Sequence, residues 1–515
     1  MYFSEAHKAV VYTLRHPEQV TLCVPAAKQL DASRVAVPVR HGTMEMCNKL
    51  GLPVVNPMLV EYGWPARPGI RPFDHQRVMS GFAALHPKHF NLSDMGTGKT
   101  LSCLWTADYL MRLGLVRKVL VICTLSTMDD VWAKEVHVNW LSERSSSILH
   151  GSVGKRLDNL AKDADFYILN HDGVSVRGIA DALIARKDID LVIVDEASAF
   201  KHSGTQRYRY LRRILQAKPR AWLLTGTPAA NSPTDAWGIA KLIDATPLSQ
   251  FAFRDRTMVR VSQFKWLPRS DAAHTVATTL QPSVRFNRDD CIDLPSVMYE
   301  TRQSRLSDKQ KKAYEDMKEA LSLTMRDGTV IDAVNEAVLR NKLIQISCGA
   351  LYGPDHEIHH LDAGPKLDEL EQVLDTVSEK VIVFAPLTSV VHMLYRHLSK
   401  EHETEVITGA VSQKERSRIF GAFQQTASPR IIVADPRAMA HGLTLTAASC
   451  IVWFGPIDSL EIYLQANARI NRPGQVNKML IVHLASTPVE KEIYRRLAEK
   501  ESLQGAVLQI VETNK

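Results

Sequence analysis

Cysteine is scarce and scattered in this 515-residue chain: Cys23, Cys47, Cys103, Cys123, Cys291, Cys348 and Cys450, with no C-x-x-C pair and no metal-ligand spacing. Most lie in apolar runs, where a thiol packs as a small hydrophobe, so the pattern excludes a disulfide framework and a structural zinc and favours a reducing compartment. The opening MYFSEAHKAVVYTLRHPEQ lacks a basic stretch leading into an apolar core and a small-residue cleavage site. No apolar run is long enough to cross a bilayer. The expectation is a cytoplasmic protein with no membrane partner. Tandem repeats and low-complexity tracts are missing as well. Charge of one sign is also in short supply: 63 basic against 56 acidic side chains leave +7 and a pI near 8.9. That bias toward polyanions is too weak to establish nucleic-acid binding on its own.

What is present is organised in blocks. The length suggests about three domains. Residues 1–67 alternate short β-like runs (VVYTL, QVTLCV, RVAVPV) with a helical stretch near Met44 to Leu50. The Pro- and Gly-rich connector Trp64 to Pro72 marks a boundary. So small a segment has little core of its own and is expected to lean on the domain next to it in the chain. From about residue 70, short apolar strands (VLVIC, FYILN, LVIVD, AWLLTG) alternate with amphipathic helices, the pattern of a parallel sheet covered on both faces. Helices such as LSDKQKKAYEDMKEAL dominate between roughly 235 and 360, and the alternation resumes with VIVFA, TEVITG, RIIVAD, CIVWFG and MLIVHLA. The expected fold is α/β: two parallel-sheet lobes in tandem, 68–278 and 279–515, with a helical insertion and a C-terminal brace helix in the second, behind a small N-terminal α+β domain at 1–67. Ser412 and Glu415 have capping-box spacing and should open a second-lobe helix.

The first lobe opens with a strand, then Asp94-Met95-Gly96-Thr97-Gly98-Lys99-Thr100, then a helix with a buried apolar face. Glycines at 96 and 98 let backbone N–H groups turn in around a phosphate, beside the positive end of the helix. In such a loop Lys99 reaches the β- and γ-phosphates of ATP and the Thr100 hydroxyl coordinates Mg²⁺. Ser93 stands where the usual pattern has its leading glycine. The buried strand Leu191–Val194 then delivers Asp195 and Glu196 at its C-terminal end, where α/β sheets bind ligands. Asp195 would hold the metal and Glu196 would activate the attacking water. By themselves these two acids are more simply the start of a loop; following the phosphate loop, they are candidate catalytic groups.

At these residues the chain resembles the Swi/Snf-like branch of helicase superfamily two, over about residues 70 to 505 and with motifs in the family's order. Arg71-Pro-Phe-Asp-His-Gln76 resembles the Q motif, with Gln76 reading adenine, and VLVICTLSTMDDVW (Val119 to Trp132) resembles motif Ia. Leu224-Thr225-Gly-Thr227-Pro-Ala-Ala-Asn231 resembles motif III, whose threonines couple the γ-phosphate state to the lobe interface. Ala438 to Ala448 resembles motif V, retaining Gly442 and Thr446 but carrying Met439 and Ala440 for two glycines and Thr444 for an asparagine. Gln465-Ala-Asn-Ala-Arg469-Ile-Asn471-Arg472-Pro-Gly-Gln475 resembles motif VI, with Asn471 where the branch usually has histidine. Spaced three apart, Arg469 and Arg472 would share a helix face. The resemblance makes them arginine fingers and Gln465 a coupling residue.

The resemblance implies RecA-like lobes, an ATPase that tracks along double-stranded or branched DNA in a bacterial or phage-infected cell, and partners drawn from replication or recombination. Candidate DNA contacts are Ser126, Thr127, Asn170 and His171 on the first lobe and Thr388, Ser389 and Thr446 on the second, each of which has an alternative reading as a turn or cap. A strand-separating helicase and a nucleic-acid-binding scaffold with a vestigial ATP site remain as alternatives. The histidines of DHEIHH (His356, His359, His360) read as a polar hairpin tip and the basic run Arg207 to Arg220 as a solvated helix face.

Overall fold

The computed structural model describes residues 1–513 apart from 142, 263–265, 292, 327–332, 354–356 and 440–443, with the side chains of 320–337, 512 and 513 also left aside. The first segment forms a four-stranded antiparallel sheet, ordered Tyr2–Ser4, Ala9–Thr13, Arg34–Pro38, Lys28–Gln29. QVTLCV, expected as a strand, lies instead in and just after the helix Pro17–Cys23. Pro17 in the first turn presets φ for a helix, and Glu18 favours the positive end of its dipole. The sheet buries Val10, Tyr12, Val35 and Val37 with Met44, Cys47 and Leu85, the last from the first-lobe helix Asp74–Leu85. Tyr62 donates to Asp108 at 2.7 Å, Tyr109 to Glu61 at 2.8 Å and Trp105 to the Pro65 carbonyl at 2.6 Å. The segment therefore shares its core with the first lobe.

Two all-parallel sheets come next, and their burial on both faces explains the unbroken apolar runs. The first has seven strands, in the order Ser283–Val284, Lys88–Asn91, Arg220–Leu224, Ile189–Val194, Lys118–Cys123, Phe166–Asn170, Ser146–Leu149. Its edge strand, Ser283–Val284, lies beyond residue 278: the chain returns to pair with Phe90 and Asn91 before leaving the lobe. The second has six strands, in the order Val297–Gln303, Met479–Ala485, Ala448–Trp453, Lys380–Phe384, Ile431–Ala434, Thr404–Ile407. These are two RecA-like lobes. Ser412 caps the helix Gln413–Gln425 by accepting from the Glu415 amide. The helices Asp308–Arg326 and Ala333–Ser347 form the insertion.

The last helix, Pro488–Thr513, ties the lobes together. Its Ile493, Tyr494 and Leu497 belong to the second-lobe core, whereas Val507, Leu508 and Val511 belong to that of the first. Within the second lobe, buried Glu490 accepts from Lys366, from Ser347 at 2.9 Å and from the Ser486 and Thr487 amides at 2.7 and 3.0 Å. No described helix is long and apolar enough to cross a membrane. No disulfide joins any of the seven cysteines. His359 and His360 are exposed on a short hairpin, His356 lies outside the described residues, and no metal-holding cluster occurs among the described residues. Arg207, Arg212 and Arg213 pair on the helix surface with Asp172, Asp244 and Asp181.

Candidate nucleotide cleft

The strand Lys88–Asn91 leads into the loop Asp94–Gly98, and the helix Lys99–Arg112 starts directly from it. Gly96 and Gly98 have φ of +88° and +77°, so side chains there would strain the backbone; a Cβ on Gly98 would also fall 2.0 Å from Gln76 Nε2. Gln76 uses both ends of its amide locally, accepting from the Phe73 amide at 2.9 Å and donating to the Gly98 carbonyl at 3.3 Å. Lys99 Nζ donates to the Ser93 and Asp94 carbonyls at 2.7 and 2.9 Å, and burial lowers its pKa. Asp94 is held in turn by Arg285 at 2.6 Å and by the Arg288 amide at 3.1 Å.

Asp195 ends the central strand and is fixed from several directions. Its carboxylate accepts from Trp132 Nε1 and from the Glu196 amide, both at 3.1 Å, and its carbonyl accepts from His171 Nε2 at 2.8 Å. Glu196 adopts left-handed geometry (φ 50°, ψ 54°), uncommon outside glycine. Burial and neighbouring Asp195 push its pKa up to about 7, with Lys99 acting in the opposite direction. A carboxylate poised near neutrality suits a general base.

The second lobe closes this space. A cavity of about 330 Å³ is lined by Lys99, Thr100, Asp195 and Glu196 from one lobe and by Thr444, Arg469, Arg472 and Pro473 from the other. Burial lowers the pKa of both arginines, Arg472 to about 10, while Glu196 acts to raise them. A second cavity, of about 730 Å³, shares Gly96, Gly98, Thr100, Val131 and Pro473 with the first and adds Gln76, Phe73 and Arg71. The phosphate-loop end and the Gln76 end are thus one continuous cleft. Its donor set, an ammonium, a hydroxyl, two carboxylates and two guanidiniums, fits a metal–triphosphate. The turns at Gly96 and Gly98 leave the room a phosphate needs.

The other expected residues divide. Thr225 accepts from the Thr227 amide at 3.1 Å, but the buried Thr227 hydroxyl and both ends of the Gln465 amide have no partner among the described residues. Gly442 lies outside the described residues. Of the candidate nucleic-acid contacts, Thr127 is buried in the nucleotide cavity against Thr124. Asn170 is buried with its amide oxygen accepting from Arg156 at 3.1 Å, and His171 is committed to the Asp195 carbonyl. Ser389 is buried against the Tyr352 hydroxyl at 2.7 Å. These four side chains are largely buried and already bonded within the chain. Thr388 is exposed, and Ser126 and Thr446 are half-buried.

Sequence reasoning missed the long-range supports: Trp132 and His171 on Asp195, the Arg285–Asp94 pair, and Glu461, which accepts from Ser198 at 2.6 Å and pairs with Lys201 at 3.3 Å across the lobes. Lys201 lies close after Asp195 and Glu196 in the sequence, the one signal that could have drawn attention to it.

Residues 92–348 match the SNF2-related domain and residues 365–474 the helicase conserved C-terminal domain. The chain belongs to the SNF2-related, Swi/Snf-like branch of helicase superfamily two and is a helicase-type, DNA-dependent ATPase. It is 24% identical over 470 residues to putative protein p41 of Acyrthosiphon pisum secondary endosymbiont phage 1, spanning 85% of this chain and 98% of that one. A probable global transactivator of Orgyia pseudotsugata multicapsid polyhedrosis virus is 24% identical over 440 residues, 79% and 83% of the two chains. The DNA repair and recombination protein RAD54-like of Drosophila erecta is 23% identical over 505 residues, 85% of this chain and 63% of that one. The Sulfolobus solfataricus SWI2/SNF2 ATPase core solved in complex with dsDNA is 22% identical, with a TM-score of 0.41 over 87% of this chain and 96% of that one.

Proposed function

We propose that this chain is an ATP-driven double-stranded DNA translocase acting in replication, recombination or repair. The observation that carries the reading is the single cavity that places Lys99, Thr100, Asp195 and Glu196 opposite Arg469 and Arg472. Lys99 would hold the β- and γ-phosphates, Gln76 the adenine edge, and Glu196 would take the proton of the attacking water. Arg469 and Arg472 would stabilise charge developing on the transferred phosphoryl group. A magnesium ion held by Thr100 and Asp195 would neutralise phosphate charge in the ground and transition states. Because the two lobes grip opposite sides of the triphosphate, loss of the γ-phosphate removes a bridge between them and frees the lobes to move. Thr225, Thr227 and Gln465 would couple the nucleotide state to lobe position. Ser126, Thr388 and Thr446 are the proposed contacts to the DNA backbone, which would give little base preference and a steep loss of binding with salt.

The test is the ATPase rate on single-stranded, duplex, forked and four-way DNA and on RNA, alongside triplex displacement and fork unwinding. Duplex-stimulated turnover with displacement but no unwinding is the expected result. Unwinding of the fork would make the chain a strand-separating helicase, and no turnover on any polymer would make it a scaffold.

A further inference from the structure

Behind the nucleotide cleft, a smaller cavity of about 260 Å³ lies between the lobes, lined by Asp94, Thr227, Arg288, Asn471 and Gln504 among others. Arg288 lines this cavity and is not part of the lining of the nucleotide cavity. It belongs to the stretch between the last first-lobe strand, Ser283–Val284, and the first second-lobe strand, Val297–Gln303. It therefore sits where the chain passes from one lobe to the other.

Arg288 reaches two parts of the cleft, one through its backbone and one through its side chain. Its backbone amide donates to Asp94 at 3.1 Å, on the phosphate loop that Arg285 also grips at 2.6 Å. Its guanidinium donates to the Asn471 carbonyl at 3.4 Å. With the Asn471 amide oxygen turned toward it, both terminal nitrogens donate to that oxygen as well, at 3.2 and 2.8 Å. That is the amide orientation the donors require, since the alternative sets an NH₂ group against a guanidinium. Asn471 is buried and lies in the sequence between Arg469 and Arg472. Asp289, 3.1 Å from the Arg288 guanidinium, offsets part of the repulsion between Arg288 and Arg472.

We propose that Arg288 is a positioning residue, tying the phosphate loop through Asp94 to the turn that carries Arg469 and Arg472 through Asn471. An asparagine at 471, where the branch usually has histidine, supplies the acceptor-only oxygen that a forked donor needs. The pair sets how far the two arginines stand from the phosphate loop without either member touching nucleotide. The inference rests on the reading of the cleft as an ATP site and deepens it.

The test is a double-mutant cycle in the full chain: Arg288→Ala, Asn471→Ala and both, with duplex-stimulated kcat, KM and fluorescent-ATP affinity measured for each. Each single variant should lower kcat about tenfold with KM and nucleotide affinity within about twofold, and the double variant should be no slower than the singles. Arg288→Lys keeps the charge and stem but loses the fork, so it should lie between parent and Arg288→Ala, and it supplies the reading if the alanine variant does not fold. Effects that multiply in the double variant, or a rise in KM with kcat unchanged, would overturn the proposal while leaving the ATP site standing. A parent with no turnover would remove the ATP reading itself and this inference with it.

Discussion

The two walls of the nucleotide cleft satisfy their polar groups in different ways. On the first lobe, Lys99 is bonded to two loop carbonyls, Asp94 is gripped by Arg285 and the Arg288 amide, and Asp195 is held by Trp132 and His171. On the second lobe, Gln465 is buried with neither end of its amide bonded among the described residues, and Asn467 Nδ2 is likewise buried without a described acceptor. Each such orphan costs roughly 1–3 kcal/mol. The charged groups of the first wall are held in place, though its Thr227 hydroxyl has no partner among the described residues, whereas the second wall keeps a cost that a changed lobe arrangement or a bound ligand can relieve. The contrast suits a machine in which one wall holds the nucleotide and the other responds to it.

The sharpest way to break the contrast is to remove one group from each wall. Arg472→Ala should cut DNA-stimulated turnover by about 10³–10⁵ while fluorescent-nucleotide titration shows binding retained. Lys99→Ala should lose binding itself. The reverse assignment, with binding lost at Arg472 and kept at Lys99, would exchange the roles of the walls.

A smaller effect separates the cleft face of the second lobe from its interior. Glu490 is fully satisfied there, so Glu490→Ala leaves Lys366 buried and unpaired and should cost about 3–5 kcal/mol, read as a lower unfolding midpoint in denaturant. An unchanged midpoint would mean that this lobe is loosely held throughout, not only at its cleft face.

The smallest effect is a pH dependence. The unprotonated form of Glu196 is the active base, and burial with Asp195 lifts its pKa to about 7. The kcat/KM value, which reports the free enzyme, should therefore fall about tenfold per pH unit below that point and level off above it. Glu196→Gln should be nearly inactive and lack this limb; a Glu196→Gln variant with parental turnover would assign the base elsewhere.

Much of this was legible in the sequence because it is local. The parallel strands announce themselves as unbroken apolar runs, the phosphate loop as glycines ahead of a helix, and Asp195 and Glu196 as acids at a strand end. Arg469 and Arg472 became legible only through the motif around them. The N-terminal helix Pro17–Cys23 was misread because QVTLCV is rich in β-branched residues, and a proline two positions earlier outweighed them. Thr127, Asn170, His171 and Ser389 are largely buried, which loop position alone does not reveal, since it does not say whether a side chain turns outward. The supports of the site, Trp132 and Arg285 above all, lie 63 and 191 residues from the carboxylates they hold. No periodicity reaches that far.

The central claim is that both walls of one ATP site come from a single chain. Mixing Lys99→Ala protein with Arg472→Ala protein, in excess duplex DNA and with the active parent as control, tests it most directly. If the walls belong to the same chain, the mixture stays as inactive as either variant alone. Recovery of turnover on mixing would show that one copy lends its arginines to another, and would contradict the account.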